Sequence, residues 1–194
     1  AVKISNIREV DELILLDIYA TNNKKKIDLD LINEVANECF MPLTIGGGIN
    51  TIDDIYSVLS AGADKISLNS VALKDLSFVR KASARFGSQC IVCSIDVKNI
   101  EGEYKIFNQQ EGVVDINPLD LAKQYQDNGA GEILLTSVDS DGSANGYDLE
   151  LIKLFKGRLN IPVILNGGMG KPSDAVKAIE NGADAVAAAY IFHF

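Results

Sequence analysis

The chain has 194 residues, 47% apolar and 23% charged, with 18 Lys and Arg against 27 Asp and Glu for a formal net charge of -9. That is enough apolar material for one well-buried core. The acidic balance, with no basic cluster beyond Lys24-Lys25-Lys26, argues against a nucleic-acid or anionic-membrane partner, and no apolar run approaches the roughly 18 residues of a membrane span. In chain order, short apolar runs closed by polar residues read as parallel strands buried on both faces: Asp11–Ile18, Met41–Ile45, Lys65–Asn69, Cys90–Asp96, Glu132–Val138, Ile161–Leu165 and Ala185–Tyr190. Amphipathic stretches at Leu29–Glu38, Thr51–Ala61, Leu76–Phe86, Pro118–Asn128, Asp148–Lys156 and Ser173–Asn181 alternate with them as helices. Thr51 with Asp54 forms a capping pair, and Gly62, Gly87, Gly129 and Gly182 follow helix ends. Residues 99–112 break the rhythm and read as an inserted hairpin.

Strand–helix–strand with right-handed crossovers gives an α/β fold with a parallel sheet. One layout occurs twice at an offset of 120 residues: Pro42, Gly47-Gly48 and Gly62-Ala63-Asp64 stand opposite Pro162, Gly167-Gly168 and Gly182-Ala183-Asp184, and Glu12 opposite Glu132. A constant offset across strand, loop, helix and strand marks a duplicated structural unit. Two such halves make about 240 residues, the size of a (βα)8 TIM barrel. The counterparts of Cys90–Asp96 and Leu76–Phe86 fall before Ala1 and after Phe194. Residues 1–194 are therefore expected to form a single TIM-barrel domain of two repeated half-barrels, here lacking the first strand and last helix.

Such a barrel carries its site at the C-terminal ends of its strands. The candidates are Asp17, Gly46-Gly47-Gly48, Asn69, Asp96, Thr136 with Asp139 and Asp141, Asn166-Gly167-Gly168, and Ala189-Tyr190. Paired glycines before a helix let backbone N–H groups meet an anion beside the positive end of the helix dipole, and two such cradles suit a substrate phosphorylated at both ends. The same glycines also serve as tight turns. Asp96 closes an apolar strand, where a carboxylate needs a partner or a task, and is the first choice for a general acid/base. Its other reading is a turn cap with Lys98. Asp17 suits either binding or a loop hydrogen bond, and the one histidine, His193, a packed supporting role. Cys39, Cys90 and Cys93 lack metal-ligand spacing and read as reduced core thiols of a cytoplasmic protein, the latter two within one strand. No metal or cofactor is expected.

The stretches 11–18, 42–49, 62–70, 85–92, Gly-Ala-Gly-Glu-Ile-Leu-Leu-Thr-Ser (129–137), Asp-Gly-Ser-Ala-Asn-Gly-Tyr-Asp (141–148) and Ile-Phe-His-Phe (191–194) together resemble the cyclase subunit family of imidazole glycerol phosphate synthase (HisF). The resemblance implies an enzyme of histidine biosynthesis. With ammonia from a glutaminase partner, it converts a bisphosphorylated formimino-aminocarboxamide ribonucleotide into imidazole glycerol phosphate and an aminoimidazole carboxamide ribotide. By the same resemblance Asp96 is a catalytic acid/base. Gly48, Asn69 and Ser70 match one phosphate site, and Asp141, Gly142, Gly168, Ala189 and Tyr190 the other; the strand-end residues Asp17, Thr136 and Gly167 are expected to bind the substrate as well. Glu12, Lys65 and Glu132 match a charged ring gating ammonia entry, and Asp64 a residue facing the glutaminase. Tyr19, Asn166 and Tyr190 depart from the family pattern. They leave two alternatives: a paralogue passing ammonia to a sugar in surface polysaccharide synthesis, and a non-catalytic barrel that binds a glutaminase.

Overall fold

The structure, a computed structural model, describes residues 10–17 and 27–192. Ile18, Tyr19, Lys24–Lys26 and His193 lie outside the described residues. The chain divides after Val92 into two compact units, each an α/β arrangement of parallel strands.

The first unit runs β1 (Leu13–Leu16), α1 (Leu29–Glu38), β2 (Leu43–Gly46), α2 (Ile52–Ser60), β3 (Lys65–Leu68), α3 (Ser70–Lys74) and α4 (Leu76–Phe86). Its strands pair in parallel in the order β1-β2-β3, with Ile14 opposite Thr44 and Thr44 opposite Lys65. Side chains alternate along each strand. Thus Glu12, Ile14, Thr44 and Lys65 share one face, while Leu43, Ile45, Ile66 and Leu68 share the other and are almost wholly buried. Helix starts follow the capping chemistry of the sequence. Asp28 accepts from the Leu31 N–H at 3.0 Å, and Thr51 and Asp54 form a complete capping box on α2.

The second unit runs β4 (Ile91–Ile100, its first two residues before the division), β5 (Glu103–Asn108), β6 (Gly112–Val114), α5 (Pro118–Asp127), β7 (Glu132–Ser137), α6 (Leu149–Phe155), β8 (Val163–Asn166), α7 (Pro172–Glu180) and β9 (Ala185–Ala187). The order β4-β7-β8-β9 carries the parallel ladder β7-β8-β9, and β5 and β6 fold back antiparallel beyond β4. Here Glu132, Leu134 and Thr136 share a face with Ile164 and Asn166.

The sequence expectations need four corrections. The last strand stops at Ala187, not Tyr190. Its partner β8 ends at Asn166, where Gly167 and Gly168 take φ of 96° and 105°, so no ladder continues, and Tyr190–Phe192 turns as a 3-10 helix. Asp96 lies inside a strand rather than at its end, because residues 97–100 continue β4 by pairing with 103–106. The inserted element reaches Val114 and has three strands. Among the cysteines only Cys93 is buried in a strand. Cys90 sits in the 3-10 turn Ser88–Cys90, and both it and Cys39 are half-buried.

The duplication is visible in bonding as well as in layout. Asp64 accepts from the Leu43 N–H at 2.8 Å while its own N–H donates to the Leu43 carbonyl at 2.9 Å; Asp184 does the same with Val163 at 2.8 and 3.0 Å. Each carboxylate thereby locks the start of one strand to the start of the next. Gly62 (φ 112°) and Gly182 (φ 118°) likewise pass so close to Ala36 and Lys156, also 120 apart, that an added Cβ would sit 2.6 and 2.7 Å from side-chain carbons.

Replacing Asp64 or Asp184 by Ala strips the acceptor from a strand-start N–H and should cost about 1–2 kcal/mol each, with Asn recovering part of the loss. Urea unfolding of the single variants measures it, and equal costs at the two positions are expected from the matched geometry.

Candidate active site

The second unit contains a cavity of about 250 Å³ lined by Asp141, Gly142, Ala144, Asn166, Gly167, Gly168, Met169, Ala188, Ala189 and Tyr190. Five of the residues expected at the second phosphate site are in this lining together with Gly167. The cavity is built by close main-chain packing. An added Cβ at Gly168 would overlap the Gly146 carbonyl oxygen, and one at Gly170 the Ala144 carbonyl oxygen. The Gly146 N–H donates to the Gly168 carbonyl at 2.8 Å. Gly142, Ala144 and Gly146 all have positive φ (71°, 55° and 100°), so loop 138–148 curls back on itself. The start of α7 stands close by. Asp174 accepts from the Gly170 and Lys171 N–H groups at 3.2 and 3.1 Å, and Pro172 occupies the first helical turn. On the floor, the Asn166 side-chain amide donates to the Thr136 hydroxyl at 3.2 Å.

The first unit shows the equivalent turn. Gly47 (φ 96°) passes against the Asp17 carbonyl as Gly167 does against that of Ser137, and Gly48 has φ 72°. The Asn50 side chain donates to the Gly48 carbonyl at 2.8 Å. Asp17 is exposed, and its N–H donates to the Gly46 carbonyl at 2.9 Å, extending the β1–β2 ladder. Asn69 and Ser70 are half-buried and open α3, a helix absent from the sequence reading.

Asp96 is half-buried in β4, on the same face as Ser94 and Lys98 by alternation. Its charge acts on Tyr125 of α5, a fully buried residue whose hydroxyl is pushed well above the usual tyrosine range, first by burial and then by Cys93 and Asp96. At the opposite ends of the strands, Lys65 meets both carboxylate oxygens of Glu12 at 2.9 Å across β2. The pair shields the ammonium, whose side chain is 15% exposed. Glu132, half-buried, starts β7 in the other unit. Asp64 is exposed, with its carboxylate engaged by Leu43 as described. Among the described residues no group of three or more His, Cys, Asp or Glu could hold a metal ion, and no helix is long and apolar enough to cross a membrane.

Sequence reading missed Ala144, Gly146, Met169 and Ala188, although the glycine spacing in 141–146 signalled a chain needing positive φ. It also missed a polar network under the loop. The Tyr104 hydroxyl donates to Asp148 Oδ1 at 2.8 Å, and the Ser137 hydroxyl lies 3.4 Å from Asp148 Oδ2 and 3.1 Å from the Ser140 hydroxyl. Asp148 also caps α6 through the Leu151 N–H at 3.0 Å. No local pattern announces a contact between residues 44 apart.

The histidine biosynthesis protein family model matches residues 2–194. A Campylobacter jejuni protein provisionally named imidazole glycerol phosphate synthase subunit hisF2 is 57% identical over 99% of this chain and 77% of its own length. Proteins named imidazole glycerol phosphate synthase subunit HisF from Campylobacter concisus and Leptospira biflexa are 48% and 47% identical, over 97% and 96% of this chain and 75% and 74% of theirs.

Two outcomes follow from this geometry. Gly168→Ala should cost about 2 kcal/mol or more of stability, because the methyl group cannot be placed without moving the Gly146 carbonyl; urea unfolding reads the loss. Burial, then the Asp148 carboxylate, raises the Tyr104 hydroxyl to about 12. Its stabilising contribution is therefore complete below the usual value near 10 and is lost as pH rises through about 12. Burial also raises Tyr125 and Tyr147, so ultraviolet titration should show several late-ionising phenols, of which Tyr104→Phe removes the one that ionises near 12.

Proposed function

We propose a function from one established premise: the chain belongs to the histidine biosynthesis protein family, whose model it matches over residues 2–194. It acts as the cyclase subunit of imidazole glycerol phosphate synthase. With ammonia from a glutaminase subunit, it converts a bisphosphorylated formimino-aminocarboxamide ribonucleotide into imidazole glycerol phosphate and an aminoimidazole carboxamide ribotide, in the cytoplasm. The observation that carries this reading is identity of 47–57%, over nearly the whole chain, to relatives bearing that enzyme's name. Their names favour it over a sugar-modifying paralogue or a barrel that only binds a glutaminase. The finer architecture, a TIM barrel of two half-barrels, is supported by the 120-residue repeat of matched bonds.

In this reading each unit takes one phosphate group of the substrate. Gly48, Asn69 and Ser70 bind one; Asp141, Gly142, Gly167, Gly168, Ala189 and Tyr190 bind the other, through the curled main chain and the start of α7. Asp17 and Thr136 are further substrate-binding residues in this reading. Ammonia addition and ring closure require protons to be taken up and returned near neutral pH, and Asp96, half-buried on a strand, is the carboxylate for that task. Glu12, Lys65 and Glu132, charged residues at strand starts, form part of an ammonia gate on the glutaminase side, within which Glu12 and Lys65 are ion-paired at 2.9 Å. Asp64 stands at the glutaminase surface while locking Leu43.

Asp96→Asn preserves size and removes the titrating group. The ammonia-dependent rate, measured with ribonucleotide and an ammonium salt in place of the glutaminase, should fall by roughly 10² or more with little change in substrate affinity. A variant keeping most of the wild-type turnover assigns Asp96 a structural role, and wild-type protein inert on this ribonucleotide refutes the reaction itself.

A further inference from the structure

We propose that the β4–β5 hairpin braces the anion cradle of the second unit, with Tyr104 and Asp139 as positioning residues for loop 138–148. The inference rests on reading Asp141, Gly142 and Gly168 as phosphate-binding. That loop contains neither helix nor strand, yet it must present its main chain to the anion in one conformation.

It is held at both ends by a single rung of the hairpin. Asn99 and Tyr104 are directly opposed across β4 and β5. At the loop's entry the Asn99 N–H donates to Asp139 Oδ2 at 2.8 Å; at its exit the Tyr104 hydroxyl donates to Asp148 Oδ1 at 2.8 Å. The rung itself is stiff. The turn beyond it has positive φ at both central residues, Glu101 (53°) and Gly102 (91°), the hairpin geometry that matches strand twist. The Asn99 side chain also closes it by accepting from the Gly102 N–H at 2.9 Å. From Asp148 the connection reaches the cradle through Ser137 and Ser140, whose Cβ lies 3.1 Å from the place a Gly168 Cβ would take. Both tethers are hydrogen bonds to carboxylates, the stronger class. Pre-ordering the loop removes an entropic cost that the bound anion would otherwise bear.

The test uses the whole chain carrying Tyr104→Phe or Asp139→Ala, with Asp139→Asn as the conservative control, since its amide oxygen still accepts from Asn99. Inorganic phosphate is titrated while the Gly142 and Gly168 amides are followed by NMR. Hydrogen exchange is read across 140–147, and KM and kcat are measured with the ribonucleotide. Each lost tether should weaken phosphate binding and raise KM about tenfold, with kcat changed less than about twofold. Exchange should quicken across 140–147, and Asp139→Asn should recover most of the protection. Unchanged exchange and phosphate affinity in both variants overturn the brace, as does a fall in kcat at constant KM. If Tyr104→Phe does not fold, Asp139→Ala, altered at an exposed side chain, decides alone. Wild-type protein whose cradle ignores phosphate refutes the bisphosphate reading instead, and the exchange data then decide the brace separately.

Discussion

The cradle of the second unit depends on main chain approaching main chain more closely than any side chain permits. Gly168 lies against the Gly146 carbonyl and Gly170 against that of Ala144, so loop 138–148 and the turn before α7 pack backbone to backbone. This contact fixes the turn before α7 against the loop that carries Asp141 and Gly142, and both line one cavity. The arrangement tolerates little change, because a single methyl group at Gly168 displaces the opposing carbonyl.

The two units solve the same construction problem twice. Each must start three parallel strands in register, and each does so with an aspartate whose carboxylate and N–H both bind the preceding strand. The structure therefore assigns Asp64 a role that the family resemblance does not. Whatever surface it presents to a partner, it first fixes the strand start, and Asp184 does the same 120 residues later. The repeat also shows where the copies have diverged: Lys65, paired with Glu12, stands opposite Ala185. Of the strand-start charges, Glu12 is matched by Glu132 while Lys65 has no charged counterpart, whereas the glycine turns are common to both copies.

Much was legible in the sequence because it is encoded locally. Apolar runs of strand length, Thr51 with Asp54, Pro172 at a helix start and glycines after helix ends each act within a few residues, and the repeat multiplied their weight. Asp141, Gly142, Gly167, Gly168, Ala189 and Tyr190, read from strand ends and a recognised motif, converge on one cavity. The early end of β9 was not legible: a strand lasts only as long as its neighbour offers a ladder, and β8 stops at Asn166. Asp96 was misplaced at a strand end for the converse reason, since the hairpin gave β4 a further partner.

By itself the sequence determined the α/β class, the duplication, the family and the chemical character of each strand end, because periodicity, spacing and motif are properties of the chain. Only the tertiary structure decided how those ends are held. That one hairpin rung, Asn99 opposite Tyr104, grips Asp139 and Asp148 at the two ends of one loop is a matter of hydrogen bonds between residues about 40 positions apart. Such bonds leave no periodic trace, since their geometry exists only once β4 has paired with β5 and β7 has joined β8.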